Sequence, residues 1–130
     1  MLSRLKRAII ADDAPQMRTL IKILLCQFGV REVVEVEDGA SAMAALRSGG
    51  ADIVVMDWMM PVMDGIECIR RIRAGQDGID PGIPIIMATG VLGDSAEATA
   101  MAAGASCFVR KPFSIRTFHN ALLKVRGEAT

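Results

Sequence analysis

Apolar positions along this chain alternate between two textures, short continuous runs and longer stretches at helical spacing. Ala8-Ile9-Ile10-Ala11 reads as a first buried strand. Pro15, near a helix start, is followed by Met17, Leu20, Ile21, Leu24, Leu25 and Phe28, offsets that lie on one helix face, with Gly29 as the stop. Val33-Val34-Glu35-Val36 carries a charge and reads as an edge strand. Gly39 opens a short helix around Ser41 to Arg47, ended by Gly49-Gly50, and Ile53-Val54-Val55-Met56 is the third strand. Ile66, Ile69, Arg70 and Ile72 predict a helix beginning near Asp64, and the Gly- and Pro-rich stretch from Ala74 to Gly82 is a loop. Ile85-Ile86-Met87-Ala88 is the fourth strand, with Asp94 as the expected cap of an alanine-rich helix that Gly104 stops. Cys107-Phe108-Val109 is the fifth strand. Ser114 caps a last helix with Ile115, Phe118, Leu122 and Val125 on one face.

Strands that are apolar throughout are buried on both faces, which implies a parallel sheet with right-handed crossovers and helices on each side. The expected fold is a doubly wound five-stranded α/β sandwich, whose ligands bind outside the carboxyl ends of the strands.

The chain has 130 residues, 52% of them apolar, and 15 Lys+Arg balance 15 Asp+Glu. This is one domain's worth of chain, expected to span 1–130 with a core over about 6–125, and too little follows for an output domain. Zero net charge gives no general attraction to nucleic acid or an anionic membrane, so neither is an expected partner. No apolar stretch approaches the ~18 residues of a spanning helix, and the basic start Met1 to Arg7 lacks a signal-peptide core. Cys26, Cys68 and Cys107 are odd in number, without metal-ligand spacing, and are read as buried thiols of a cytoplasmic protein.

The strand ends carry the chemistry. The first ends in Asp12-Asp13, the third in Asp57, the fourth in Thr89 and the fifth in Lys111. An Asp-Asp pair alone is usually a solvated turn. Three carboxylates on one sheet edge, however, repel one another unless a cation neutralises them, and Mg²⁺, which takes one or two carboxylates and leaves room for a phosphate, is the natural choice. Lys111 supplies a fixed positive charge and Thr89 a hydroxyl donor for an anionic group. The constellation suits phosphoryl transfer, with Asp57, after the central strand, as nucleophile and Asp12 and Asp13 as metal ligands.

Three stretches, Ala8-Ile9-Ile10-Ala11-Asp12-Asp13, Val54 to Gly65 with its Met56-Asp57-Trp58-Met59-Met60-Pro61 core, and Val109-Arg110-Lys111-Pro112-Phe113, resemble the motifs of bacterial response regulator receiver domains. The likeness spans Lys6 to Val125 and is of the stand-alone chemotaxis-regulator type. It implies a flavodoxin-like sheet in strand order 2-1-3-4-5. It also implies that a histidine kinase donates a phosphoryl group to Asp57, that Asp13 and Asp57 bind Mg²⁺ directly, Asp12 through water, and Met59 by its backbone carbonyl. Thr89 and Lys111 would contact the phosphoryl group, and a cis bond before Pro112 would aim Lys111 into the site. Phosphorylation would move Thr89 and alter a partner surface built from the fourth helix, fifth strand and fifth helix. Such a protein is a phosphoacceptor switch, catalytic only toward its own phosphorylation and dephosphorylation. A phosphate sink, a phosphorelay shuttle and a phosphate-indifferent pseudo-receiver share the same core residues.

Two departures from the family pattern stand out. The switch position, commonly tyrosine or another aromatic in the family, is Phe108, without a tyrosine's hydroxyl, so switching is expected to rest on ring packing and Thr89. Met59 and Val91 at the rim are apolar and cannot orient an attacking water, which predicts slow autodephosphorylation. A true phosphatase would need an acid where Met59 stands, and scarce aromatics argue against a flavin carrier on the same topology. His119 reads as a solvated helix residue, Trp58 as a reporter beside Asp57.

Overall fold

The structure, a computed structural model, describes residues 5–91 and 93–127. The first four residues of the basic N-terminal segment and the last three of the chain lie outside them. Five strands, β1 (Arg7–Ala11), β2 (Glu32–Val36), β3 (Ile53–Met56), β4 (Ile85–Thr89) and β5 (Cys107–Arg110), pair in parallel in the order β2-β1-β3-β4-β5. The crossovers are α1 (Pro15–Gln27), α2 (Gly39–Gly49), α3 (Gly65–Arg73) and α4 (Ala96–Ala103), and α5 (Ile115–Arg126) closes the fold. This is the expected doubly wound, flavodoxin-like sheet.

Although the strands are apolar at nearly every position, the pleat sorts them onto two faces. Ile9, Val54, Met56, Ile85 and Met87 pack with Ala42, Met43, Leu46, Ile66, Ile69, Ile72 and Ala100 under α2, α3 and α4. Ile10, Ile53, Val55, Ile86 and Ala88 pack with Ile21, Leu25, Phe118 and Leu122 under α1 and α5. The charged strand β2 is an edge strand, as its sequence predicts.

Several helix starts follow from local chemistry. Asp38, Asp64 and Ser114 cap α2, α3 and α5 by accepting from the backbone N–H of Ser41, Glu67 and Thr117 at 2.7, 2.9 and 3.0 Å. Asp94 does not cap α4. Ser95 holds the cap position without a side-chain bond, because the backbone closes the turn itself through Ala96 N–H to Gly93 O at 3.3 Å. A short 3₁₀ turn over Gln76–Gly78 interrupts the expected loop.

Four burial expectations fail. Cys26 is exposed and Cys107 half-buried, and only Cys68 is fully buried. Cys26 is one residue, about 100° of helix, beyond the buried Leu25. Leu20 flanks the buried stripe of α1 and is exposed. Ile115 has the right angular position on α5, but as the helix's first residue it overhangs the end of the sheet and stays 67% exposed.

Candidate functional site

The carboxyl ends of β1, β3 and β5 converge on one cluster of charges. Asp12, Asp57 and Lys111 each stand one residue past a strand, yet their backbones continue the ladder. Asp12 N–H donates to Val36 O at 3.1 Å, Asp57 N–H to Ala11 O at 2.9 Å and Lys111 N–H to Thr89 O at 2.9 Å. The functional side chains are therefore anchored to rigid sheet rather than to mobile loop.

Lys111 Nζ donates to Asp12 Oδ2 at 2.6 Å and to Asp57 Oδ2 at 3.0 Å. Both acids are buried, and the ammonium is the fixed counter-charge that makes this tolerable. Burial works against the lysine's charge, but hydrogen bonds and attraction from Asp12 and Asp57 outweigh it and hold its pKa above the ordinary lysine value. The Lys111–Pro112 bond is cis.

The second carboxylate oxygens are also placed. Asp57 Oδ1 accepts from Trp58 N–H at 2.7 Å and Asp12 Oδ1 from Ala14 N–H at 2.9 Å. Asp13 is exposed, and each of the three acids offers an oxygen within 4.8 Å of the others. All-oxygen, multiply anionic donors at this spacing fit a hard divalent cation such as Mg²⁺ and would suit no soft metal. Both oxygens of Asp12 and both of Asp57 are engaged by protein donors, and the exposed Asp13 is the freest of the three carboxylates.

The remaining expected residues surround this cluster. Thr89, buried at the end of β4, accepts at Oγ1 from Val91 N–H at 3.2 Å. Phe108 is half-buried on β5, in register with Met87 and packed against the α2–α4 side of the core. Met59 is 65% exposed in the loop after β3, and Trp58 is half-buried against the core.

Sequence reasoning passed over three supporting residues. Arg18 donates from Nη1 to the backbone carbonyl of Asp12 at 2.7 Å, fixing the acid's turn. Gly65 lets α3 begin against the site, since a Cβ there would lie 2.1 Å from the carbonyl oxygen of Asp57. Arg110 donates to Val91 O and Gly93 O at 3.2 Å each. Gly65 stood within a motif and could have been found. Arg110 also stood within a motif, but neither arginine's role carries a local signal, because the partners are backbone carbonyls removed in sequence.

The family model described as Response regulator receiver domain matches residues 8–123. The chain belongs to that family. As a receiver, it is 33% identical over 125 residues to chemotaxis protein CheY-3 of Vibrio cholerae, covering 96% of this chain and 95% of that one. It is 34% identical over 119 residues to chemotaxis protein CheY of Pseudomonas aeruginosa, covering 92% and 94% of the two chains. Among solved structures, the chemotaxis response regulator CheY4 of Vibrio cholerae superposes with a TM-score of 0.82 at 27% identity, over 94% of this chain and 99% of that one. The receiver domain of sensor histidine kinase PA1611 from Pseudomonas aeruginosa, described with a magnesium ion coordinated in its active site cleft, superposes with a TM-score of 0.81 at 28% identity, over 95% and 99%. The receiver's relatives thus belong to two-component signalling, chemotaxis regulators among them. Among the described residues no helix is long and apolar enough to cross a membrane.

Proposed function

We propose that this receiver is a cytoplasmic phosphoacceptor switch that takes a phosphoryl group from the phosphohistidine of a histidine kinase onto Asp57 in a Mg²⁺-dependent reaction. The observation that carries the reading is the bridge of Lys111 Nζ between Asp12 and Asp57, at 2.6 and 3.0 Å, with Asp13 completing the acidic cluster.

In the proposed step a carboxylate oxygen of Asp57 attacks phosphorus. The new P–O bond forms as the P–N bond to the kinase imidazole breaks, and the bonding electron pair leaves on the imidazole nitrogen. Trp58 N–H and Lys111 orient the carboxylate, and Lys111 meets the negative charge of the transferring group without reorganising. Thr89, one strand away, supplies a hydroxyl to a phosphoryl oxygen. Bound Mg²⁺, held by Asp13, Asp57 and the Met59 carbonyl, with Asp12 through water, would neutralise phosphoryl charge. The protein turns over no other substrate; it promotes only its own phosphorylation and dephosphorylation.

The readout surface in this reading is the β5 edge of the sheet, where α4, β5 and α5 adjoin and where Phe108 lies. A downstream protein would bind it with an affinity set by the phosphorylation state. Incubation with acetyl phosphate and Mg²⁺, followed by intact mass, tests the chemistry. A gain of one phosphoryl group, lost with chelator and in Asp57→Asn, is expected. No gain makes the chain a pseudo-receiver that binds its partner regardless of phosphate.

A further inference from the structure

One exposed side chain joins the end of β5 to the backbone that follows Thr89. Arg110 is the register partner of Thr89 and stands two residues beyond Phe108, so the arginine and the ring share a face of the strand. Its guanidinium carbon lies 5.3 Å from the Phe108 ring centroid. Its Nη1 and Nη2 donate to the carbonyls of Val91 and Gly93 at 3.2 Å each. Val91 in turn donates its N–H to Thr89 Oγ1 at 3.2 Å. A continuous chain of contacts therefore runs from the buried Thr89 hydroxyl through Val91 and the guanidinium to the Phe108 ring.

We propose that Arg110 is a latch, a positioning residue that holds Val91 and Gly93, and through Val91 the Thr89 hydroxyl, in the arrangement of the unphosphorylated receiver. The proposal rests on the phosphoacceptor reading of Asp57. A phosphoryl group on Asp57 presents new acceptor oxygens, and a Thr89 hydroxyl drawn toward them takes Val91 N–H with it. The Val91 carbonyl then pulls away from a guanidinium that the Phe108 ring holds in place. Contacts made in one state and stretched in the other are the only kind that shift the balance between the two. Phe108 has no hydroxyl with which to report on Thr89, so the arginine supplies the polar link that the ring lacks. Lysine cannot replace it, since a planar fork is needed to reach two carbonyls while stacking on a ring.

The test is calorimetric titration of the full chain with beryllium fluoride, a phosphoryl mimic, in the presence of Mg²⁺. Surface charge-assisted bonds with one cation–π contact are of a size to give about three- to tenfold tighter binding in Arg110→Ala than in the wild type. Arg110→Lys should fall on the same side. Urea unfolding of each variant accompanies the titration, because a merely loosened fold would weaken the mimic's binding rather than strengthen it. Unchanged affinity in Arg110→Ala overturns the latch and leaves the contacts as surface stitching. Weaker affinity overturns it too, by assigning Arg110 to the phosphorylated arrangement. A wild type that neither binds the mimic nor gains mass from acetyl phosphate refutes the phosphoacceptor reading itself, a failure visible without any Arg110 variant.

Discussion

Lys111 and Asp57, far apart in sequence and two strands apart in the sheet, are joined by a 3.0 Å contact from Nζ to Oδ2, and the same ammonium reaches Asp12 at 2.6 Å. In the phosphoacceptor reading proposed above, the lysine has one structural and one chemical task, and Lys111→Met separates them. Leaving two buried carboxylates without their cation should cost about 2–4 kcal/mol in metal-free urea unfolding. Added Mg²⁺ should restore more stability to the variant than it adds to the wild type. Phosphorylation by acetyl phosphate should slow about 100-fold, the scale of losing one preorganised donor. A variant phosphorylated at the wild-type rate would remove Lys111 from the chemistry.

At the rim of the site, Met59 is exposed and Val91 half-buried, and neither side chain can hydrogen-bond a water. In the phosphoacceptor reading, hydrolysis of a phosphorylated Asp57 therefore finds no group at these two positions to orient the attacking water. Met59→Asn introduces an amide at that place and should shorten the phosphoryl half-life about threefold or more by orienting water. The decay of the phosphorylated mass with time checks this, and an unchanged half-life contradicts it.

Val62, five residues past Asp57, adopts φ = 68° and is 96% exposed, an unfavourable combination for a β-branched side chain. Nothing in its surroundings requires valine. Val62→Asn should stabilise the fold by about 1 kcal/mol, because asparagine tolerates the left-handed region. Val62→Gly should gain less, since glycine loses more chain entropy on folding. Urea midpoints compare the three, and a less stable Val62→Asn would mean that the side chain makes contacts its exposure conceals.

The parts of the molecule legible in the sequence are those set by periodicity and by strand ends. Ile9, Val55 and Ile86 announce buried strands, and Asp12, Asp57, Thr89 and, one residue further on, Lys111 follow such runs, so one topological rule gathers them on one edge. What stayed hidden depends on position along a helix axis or on partners distant in sequence. Ile115 is in phase with Phe118 yet overhangs the sheet, and Cys26 lies among leucines yet points off the buried stripe. Arg18, Arg73 and Arg110 all bind backbone carbonyls, which every residue possesses, and so leave no mark in the pattern of side chains.

Arg73 shows how much such a residue can hold. Its Nε donates to Gly104 O at 2.8 Å, its Nη1 to Pro81 O and Ile83 O at 2.8 and 2.6 Å, and its Nη2 reaches Ser106 Oγ at 3.2 Å. It ties α3 to the segments leading into β4 and β5. Burial lowers the guanidinium's pKa, and the nearby Asp80 charge opposes it. Arg73→Met keeps the apolar stem and orphans these acceptors, and should cost about 2–4 kcal/mol in urea unfolding. The rate of phosphorylation by acetyl phosphate should not change, because the residue is remote from Asp57. A neutral effect on stability would show that water replaces the guanidinium without loss.

The alkaline limit of the fold should be set first by Cys68. Burial, reinforced by the nearby Asp64 charge, pushes its thiol from 9.0 up to about 12. A folded pKa above the unfolded one means that the native state retains a proton the unfolded chain releases, so stability is intact below pH 9 and falls as pH rises toward 12. Lys111 has the same sign, but its loss begins only above 10.5, and the chain has no tyrosine to titrate in between. Between pH 9 and 10.5 the wild type should therefore lose on the order of 1–2 kcal/mol through Cys68. Cys68→Ala should start lower, because removing the sulfur leaves a small void, yet vary less across the same window. Urea unfolding under reducing conditions at the two pH values gives both slopes, and equal slopes would mean that the thiolate is accommodated in the folded core.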